Sequence, residues 1–209
     1  MIIKLTNLGK RYNREWIFRN FSFQFAINKH YAITGPNGSG KSTLLQIIAG
    51  SVIFNEGEIV YHHFNKIIEP EKIFRKISFA APYLDLVEEM TLSEFFNFHH
   101  KMKSWISPLD TKKIILLSGL EKSAHKQIRY FSSGMKQRVK LALAVFSNAP
   151  VVLLDEPTTN LDEAGIELYH QLIREHCKEK LLIVSSNDKQ EYGFCDKVLD
   201  MLELKKTIP

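Results

Sequence analysis

Residues 30–50 read HYAITGPNGSGKSTLLQIIAG, and this segment decides the fold. Tyr31, Ala32 and Ile33 form a short apolar run of the length of a buried strand. Gly35-Pro36-Asn37-Gly38 halts it, and a helix is predicted from Lys41 to Ala49, with Gly50 as its stop. Between strand and helix, Gly35 to Ser42 fits G-x-x-x-x-G-K-[ST]. At average composition such a match arises in roughly one in a hundred chains of this length. Here it also has the context its chemistry needs, after a strand and at the start of a helix. Glycines let successive N–H groups turn inward as an anion nest, and the helix start adds positive potential. The candidate phosphate-binding set is therefore Gly35, Asn37, Gly38, Ser39, Gly40, Lys41, Ser42 and Thr43. Lys41 is expected to reach the β and γ phosphates of a nucleotide, and the Ser42 hydroxyl to ligate Mg²⁺.

The complement lies at residues 151–156, VVLLDE. Four apolar residues bury a strand and two carboxylates emerge at its end. Asp155 is the candidate metal ligand. Glu156 is the candidate group that polarises water for attack on the γ-phosphate. An acidic strand end alone is also what a helix cap looks like; beside a phosphate loop it points to nucleotide hydrolysis.

Composition bounds the rest. The 209 residues are 44% hydrophobic and 24% charged, which suits one compact domain or a core with an inserted lobe. The net charge is +5, but Lys and Arg are scattered with no run of five, which argues against a nucleic-acid surface. Cys177 and Cys195 have no C-x-x-C spacing and suit a reducing cytosol. The doublets His62-His63 and His99-His100 lack metal-ligand spacing and are expected at the surface. The opening MIIKLTNLGKRY has no secretory pattern. The longest uncharged runs, 42–55 and 141–154, fall short of the roughly 20 apolar residues of a spanning helix, so a membrane role requires another chain.

Strands are predicted at 2–6 and 16–27, where Phe21, Phe23 and Phe25 alternate with polar or small residues. Others are predicted at 58–62, 76–80, 151–154, 181–184 and 197–202, with a helix at 163–177. Residues 83–148 read as helical. Thr91 and Glu94 form a capping box, Pro108 stands at a predicted first helical position, and Ser132 caps a third helix from Gly134 to about Ser147. The order implies an α/β fold: a P-loop NTPase core with a mostly parallel sheet, an N-terminal antiparallel β lobe and an inserted helical subdomain. One domain is expected over 1–209, with core and β lobe at about 1–82 and 149–209 and the helical subdomain at about 83–148.

The stretch FSSGMKQR (residues 131–138), followed by VKLALAVFSNAP and VVLLDEPTTNLD, resembles the ATP-binding subunits of ABC (ATP-binding cassette) transporters. The likeness spans nearly the whole chain and is greatest to short single-cassette subunits. It implies that Tyr12 stacks on adenine, and that Ser132 and Gly134 touch the γ-phosphate held by an opposite subunit. It further implies that Asn160-Leu161-Asp162 form a dimer contact. Asp162 also suits the N-cap of the next helix. The implied ligands are ATP and Mg²⁺. The implied partners are a second ATP-binding cassette, identical or different, and a separate transmembrane transporter subunit. The implied location is cytoplasmic, peripheral on the membrane through that partner.

Three positions depart from the family pattern. The signature reads FSSGM rather than LSGGQ, with Met135 in place of a polar residue. No Gln follows the strand at 76–80, where Ala81-Pro82-Tyr83-Leu84-Asp85 stand instead. In LLIVSSND (residues 181–188), Asn187 replaces the expected histidine. Its amide can donate to a γ-phosphate or its side chain can cap the segment from Asp188. Loss of the Gln and His implies slow hydrolysis, while Lys41, Asp155 and Glu156 argue against a dead site. The competing functions are an ATP-gated regulatory cassette with little turnover and a soluble, non-transport cassette ATPase.

Overall fold

The computed structural model describes residues 1–64 and 66–205. Strands β1 (Ile2–Tyr12) and β2 (Glu15–Ala26) form a hairpin, with Ile3 opposite Phe25 and Leu5 opposite Phe23. β1 runs six residues beyond the predicted end at residue 6, because β2 gives it ladder partners as far as Tyr12 opposite Glu15. The Phe21–Phe23–Phe25 alternation holds: Phe21 and Phe25 are buried, and Phe23 and Phe25 both meet Tyr31 edge-on at 5.7 and 5.0 Å. Strand β3 (His30–Thr34) enters the phosphate loop and α1 (Lys41–Ile48) leaves it. Strands β4 (Glu56–His63) and β5 (Lys66–Ile68) complete a four-stranded antiparallel sheet in the order β2-β1-β4-β5.

After β6 (Ile77–Ala80), the helices α2 (Leu92–Met102), α3 (Thr111–Leu117) and α4 (Ser133–Phe146) follow without an intervening strand. The capping box at Thr91 forms as predicted: its side chain and that of Glu94 exchange bonds with each other's backbone N–H. Pro108 does not open a helix. The Asp110 carboxylate accepts the Lys113 N–H at 2.8 Å and starts α3 after it, leaving Pro108 in the preceding loop.

The chain then alternates: β7 (Val151–Asp155), α5 (Glu163–His176), β8 (Leu181–Ser185), α6 (Lys189–Tyr192), β9 (Lys197–Asp200) and α7 (Met201–Lys205). The last strand is two residues shorter than predicted, because the Asp200 side chain accepts the Leu202 N–H at 2.8 Å and turns the chain into helix. The second sheet is wholly parallel, in the order β6-β7-β8-β3-β9.

The uniformly apolar strands β7 and β8 serve two cores, since successive side chains point to opposite faces. Val152, Leu154, Leu182 and Val184 pack with α2, α3, α4 and α5. Val151, Leu153, Leu181 and Ile183 pack with α1 and the antiparallel sheet. All eight are inaccessible to solvent. Each contributes about 1.5–3 kcal/mol by burial.

Candidate active site

Parallel strands bring their carboxyl ends to one edge of the sheet, and ligands bind at such edges. Because β7, β8 and β3 are neighbours, Asp155, Ser185 and Thr34 end side by side. The phosphate loop, the acidic pair and the Asn187 segment therefore converge, although the loop lies more than 100 residues from the other two in sequence. The ladder extends past the strands: the Glu156 N–H donates to Ser185 O at 2.9 Å and the Ser186 N–H to Ile33 O at 3.1 Å.

The loop is closed by its own residues. Lys41 is 5% exposed and its Nζ donates to Gly35 O at 2.7 Å, with Pro36 O at 3.4 Å. Gly40 has φ of 102°, and a Cβ there would lie 2.3 Å from the Ile17 side chain. Both facts require glycine. The same contact seats β2 against the loop. Asn37 and Gly38 are exposed at the loop tip, Ser39 is buried, and Ser42 and Thr43 are half-buried in the first turn of α1. Tyr12 stands at the end of β1, 47% exposed, with Lys10 Nζ 4.4 Å from its ring centre.

Three buried oxygens near these strand ends, Ser39 Oγ, Asp155 Oδ1 and Ser185 Oγ, make no hydrogen bond. An unpaired buried carboxylate oxygen is costly unless something satisfies it. The Ser42 hydroxyl and the Asp155 carboxylate are an oxygen donor set of the kind a hard divalent cation takes. Among the described residues no group of three or more His, Cys, Asp or Glu side chains could hold a metal. The Tyr83 hydroxyl faces Asp155 and Gln46, and burial together with the Asp155 charge pushes its pKa up to about 12. Tyr83 follows β6, where the sequence lacks the expected Gln. Nothing in the sequence marked it for this place.

Glu156 is exposed and has φ of 43°. A non-glycine residue in this region is strained by on the order of 1–3 kcal/mol, a feature that clusters at functional sites. Asn187 is not a helix cap. Asp188 caps α6 by accepting the Gln190 N–H at 2.9 Å. Instead Asn187 Oδ1 accepts the Gly35 N–H at 3.0 Å. That bond fixes which way the amide points, since the donor is a backbone N–H, and leaves the Asn187 NH₂ uncommitted to Gly35.

Ser132 and Gly134 lie elsewhere. With Gly119, Arg138, Asn160 and Asp162 they line a cavity of about 860 Å³ that no phosphate-loop residue enters. Ser132 caps α4 by accepting the Met135 N–H at 3.2 Å. Gly134 is required by close approach, for a Cβ there would lie 2.8 Å from Asn160 O. Met135 packs on the helical core, which accounts for an apolar residue at that position. Asp162 caps α5 through the Gly165 N–H at 2.8 Å and also binds Arg138 at 3.1 Å. The Gly165 bond first, then Arg138, holds its pKa below the usual carboxylate range.

A grip for phosphate, a buried carboxylate near it and a strained exposed one next to that carboxylate in the chain define a phosphate-loop nucleotide hydrolase. Residues 18–159 match the ABC transporter family, and the chain belongs to it. It is 32% identical over 208 residues to the uncharacterized ABC transporter ATP-binding protein YybJ of Bacillus subtilis, covering 96% of this chain and 92% of that one. It is 30% identical to the cytochrome c biogenesis ATP-binding export protein CcmA of Brucella abortus, over 89% and 85% of the two chains. The lantibiotic transport ATP-binding protein SrtF of Streptococcus pyogenes is 29% identical over 89% of this chain and 80% of its own. Among solved structures, the dimeric bacterial ABC transporter cassette MJ0796 superposes with a TM-score of 0.81 at 27% identity, over 95% and 94% of the chains. The same cassette in a post-hydrolysis dimer with ADP and Pi gives 0.80 at 25% identity, over 95% and 93%. The chain is an ABC transporter ATP-binding protein and an ATPase. Among the described residues no helix is long and apolar enough to cross a membrane.

Proposed function

We propose that two cassettes close head to tail around two Mg-ATP molecules and that this closure drives a separate transmembrane subunit. The observation that carries it is the separation of the two half-sites. Ser132 and Gly134 line a cavity that contains no phosphate-loop residue, which supports a second cassette bringing them to the nucleotide. Ser132 and the start of the 14-residue helix α4 then present an anion contact.

In this reading Tyr12 stacks on adenine. The backbone of Gly35 to Gly40 cradles the phosphates, and Lys41 exchanges its loop carbonyls for β and γ oxygens. Ser42 and Asp155 would hold Mg²⁺, which when bound would supply charge neutralisation to the phosphates. Glu156 orients the attacking water and accepts its proton. Asn187, anchored at Gly35 through Oδ1, donates its NH₂ to the γ-phosphate. A neutral donor stabilises developing negative charge less than a charged one, so turnover is slow.

Residues 83–148 act as the helical subdomain that meets the membrane partner. A groove of about 350 Å³ lined by Ala49, Phe74, Phe79, His99 and Met102, with Phe74 and Met102 58% and 74% exposed, supports this. Relatives named for lantibiotic transport and for export in cytochrome c biogenesis support the transporter role.

Glu156→Gln tests the proposal. The amide keeps the shape but cannot take a proton. Hydrolysis should fall by on the order of 10²-fold or more, and an ATP-bound dimer should appear in size-exclusion chromatography with Mg-ATP. A variant that binds ATP yet stays monomeric would refute the model of closure.

A further inference from the structure

We propose that Glu191 is a positioning residue for hydrolysis, its buried carboxylate fixing the loop that carries Glu156 against the loop that carries Asn187. The inference rests on the reading of Glu156 as the group that activates water.

Glu191 is 4% exposed on the short helix α6. Its Oε1 accepts both the backbone N–H of Thr158 at 2.7 Å and the Thr158 hydroxyl at 2.6 Å. Ser186 Oγ accepts the Asp188 N–H at 2.9 Å and so turns the chain from β8 into α6. The backbone carbonyl of Glu191 is held by the buried Tyr169 hydroxyl at 2.6 Å. Two donors of Thr158 thus converge on one carboxylate oxygen, and Tyr169 of α5 fixes the backbone of Glu191.

Thr158 lies two residues beyond Glu156. The residue between them, Pro157, is pinned from the other side: its carbonyl accepts Gln137 Nε2 of α4 at 2.7 Å. A strained residue such as Glu156, with φ of 43°, persists only where its surroundings over-determine it. Gln137 and Glu191 are those surroundings. Burying a carboxylate is costly, and the two Thr158 donors offset that cost. Glu191 stands four residues beyond Asn187, so its bonds to Thr158 tie the two catalytic loops together.

Steady-state kinetics of Thr158→Val, Glu191→Ala, their double variant and Glu191→Gln, beside Glu156→Gln, test this. A small displacement of Glu156 should lower kcat on the order of tenfold in Glu191→Ala and Thr158→Val while KM for ATP stays within about twofold. The double variant should be no slower than the worse single one, because both remove one interaction. Glu191→Gln, which keeps an oxygen for Thr158, should recover most of the loss. Wild-type kcat in folded Glu191→Ala or in Thr158→Val, a proportional rise in KM, or multiplicative losses in the double variant would each overturn the inference. If Glu191→Ala does not fold, Thr158→Val and Glu191→Gln decide. Slow Glu156→Gln with unchanged Glu191 and Thr158 variants refutes the role of Glu191 alone. Glu156→Gln with wild-type turnover refutes the underlying reading.

Discussion

Asn187 holds the phosphate loop with the oxygen of its side chain, and its NH₂ is proposed to meet the γ-phosphate. Its Oδ1 takes the Gly35 N–H at 3.0 Å, so a substitution can separate the two roles. Asn187→Asp keeps an acceptor for Gly35 but turns the donating end into a negative oxygen. Like charge against the γ-phosphate should raise KM for ATP by about tenfold or more, with a smaller change in ADP affinity measured by calorimetry. An equal loss for both nucleotides would place Asn187 away from the γ-phosphate. The sequence made Lys41, Ser42, Asp155 and Glu156 legible because their chemistry is written in consecutive residues. Tyr83, Thr158 and Glu191 were not legible. The Thr158–Glu191 pair spans 33 residues, and α6 has four residues, too few to show which face is buried.

Helix α2 carries a titratable group at its joint with α4. His99 stacks on Trp105 at 4.8 Å between ring centres, and its Nε2 pairs with Ser147 Oγ at 2.8 Å. Burial first, then the charges of Lys103 and His100, lowers its pKa from 6.5 to about 4. The folded His99 therefore resists a proton that the unfolded chain accepts. The stability this represents is present above about pH 6.5 and is lost as pH falls toward 4. Urea unfolding followed by tryptophan emission should show a loss on the order of 1–3 kcal/mol between pH 7 and pH 4.5. His99→Phe, which keeps the stack, should shrink that loss; an unchanged pH dependence would exclude His99 as its source. His99 was expected at the surface from the doublet spacing, and its half-buried place arises from packing by Trp105 and Ser147, which no local spacing encodes. The capping box at Thr91 was legible because a cap is a contact across three residues, whereas the ends of β1 and β9 were not, because ladder partners and a local turn set them. Pro108 misled because Asp110, two residues on, is the better acceptor.

The order β6-β7-β8-β3-β9 was not readable from the chain, since strand adjacency is a property of packing; only the alternation of strand and helix was. The separation of phosphate loop from Ser132 likewise needed coordinates. It yields a test on pairs of molecules. Lys41→Ala removes the grip on one nucleotide, and Ser132→Asp, which still caps α4, sets a negative charge toward the partner's phosphate. Each variant alone should be inactive. Mixed, they should regain hydrolysis in a phosphate-release assay, because the mixed dimer keeps one site with Lys41 from one copy and Ser132 from the other. Mixtures as inactive as the separate variants would exclude a site shared between copies of this chain. The strands common to both cores add a mechanical consequence. β7 and β8 are a beam clamped on both sides, with Val152 and Leu154 gripped by the helices and Val151 and Leu153 by the layer beneath the phosphate loop. A substitution that loosens either core therefore acts on the same two strands, whose carboxyl ends carry Asp155 and Glu156.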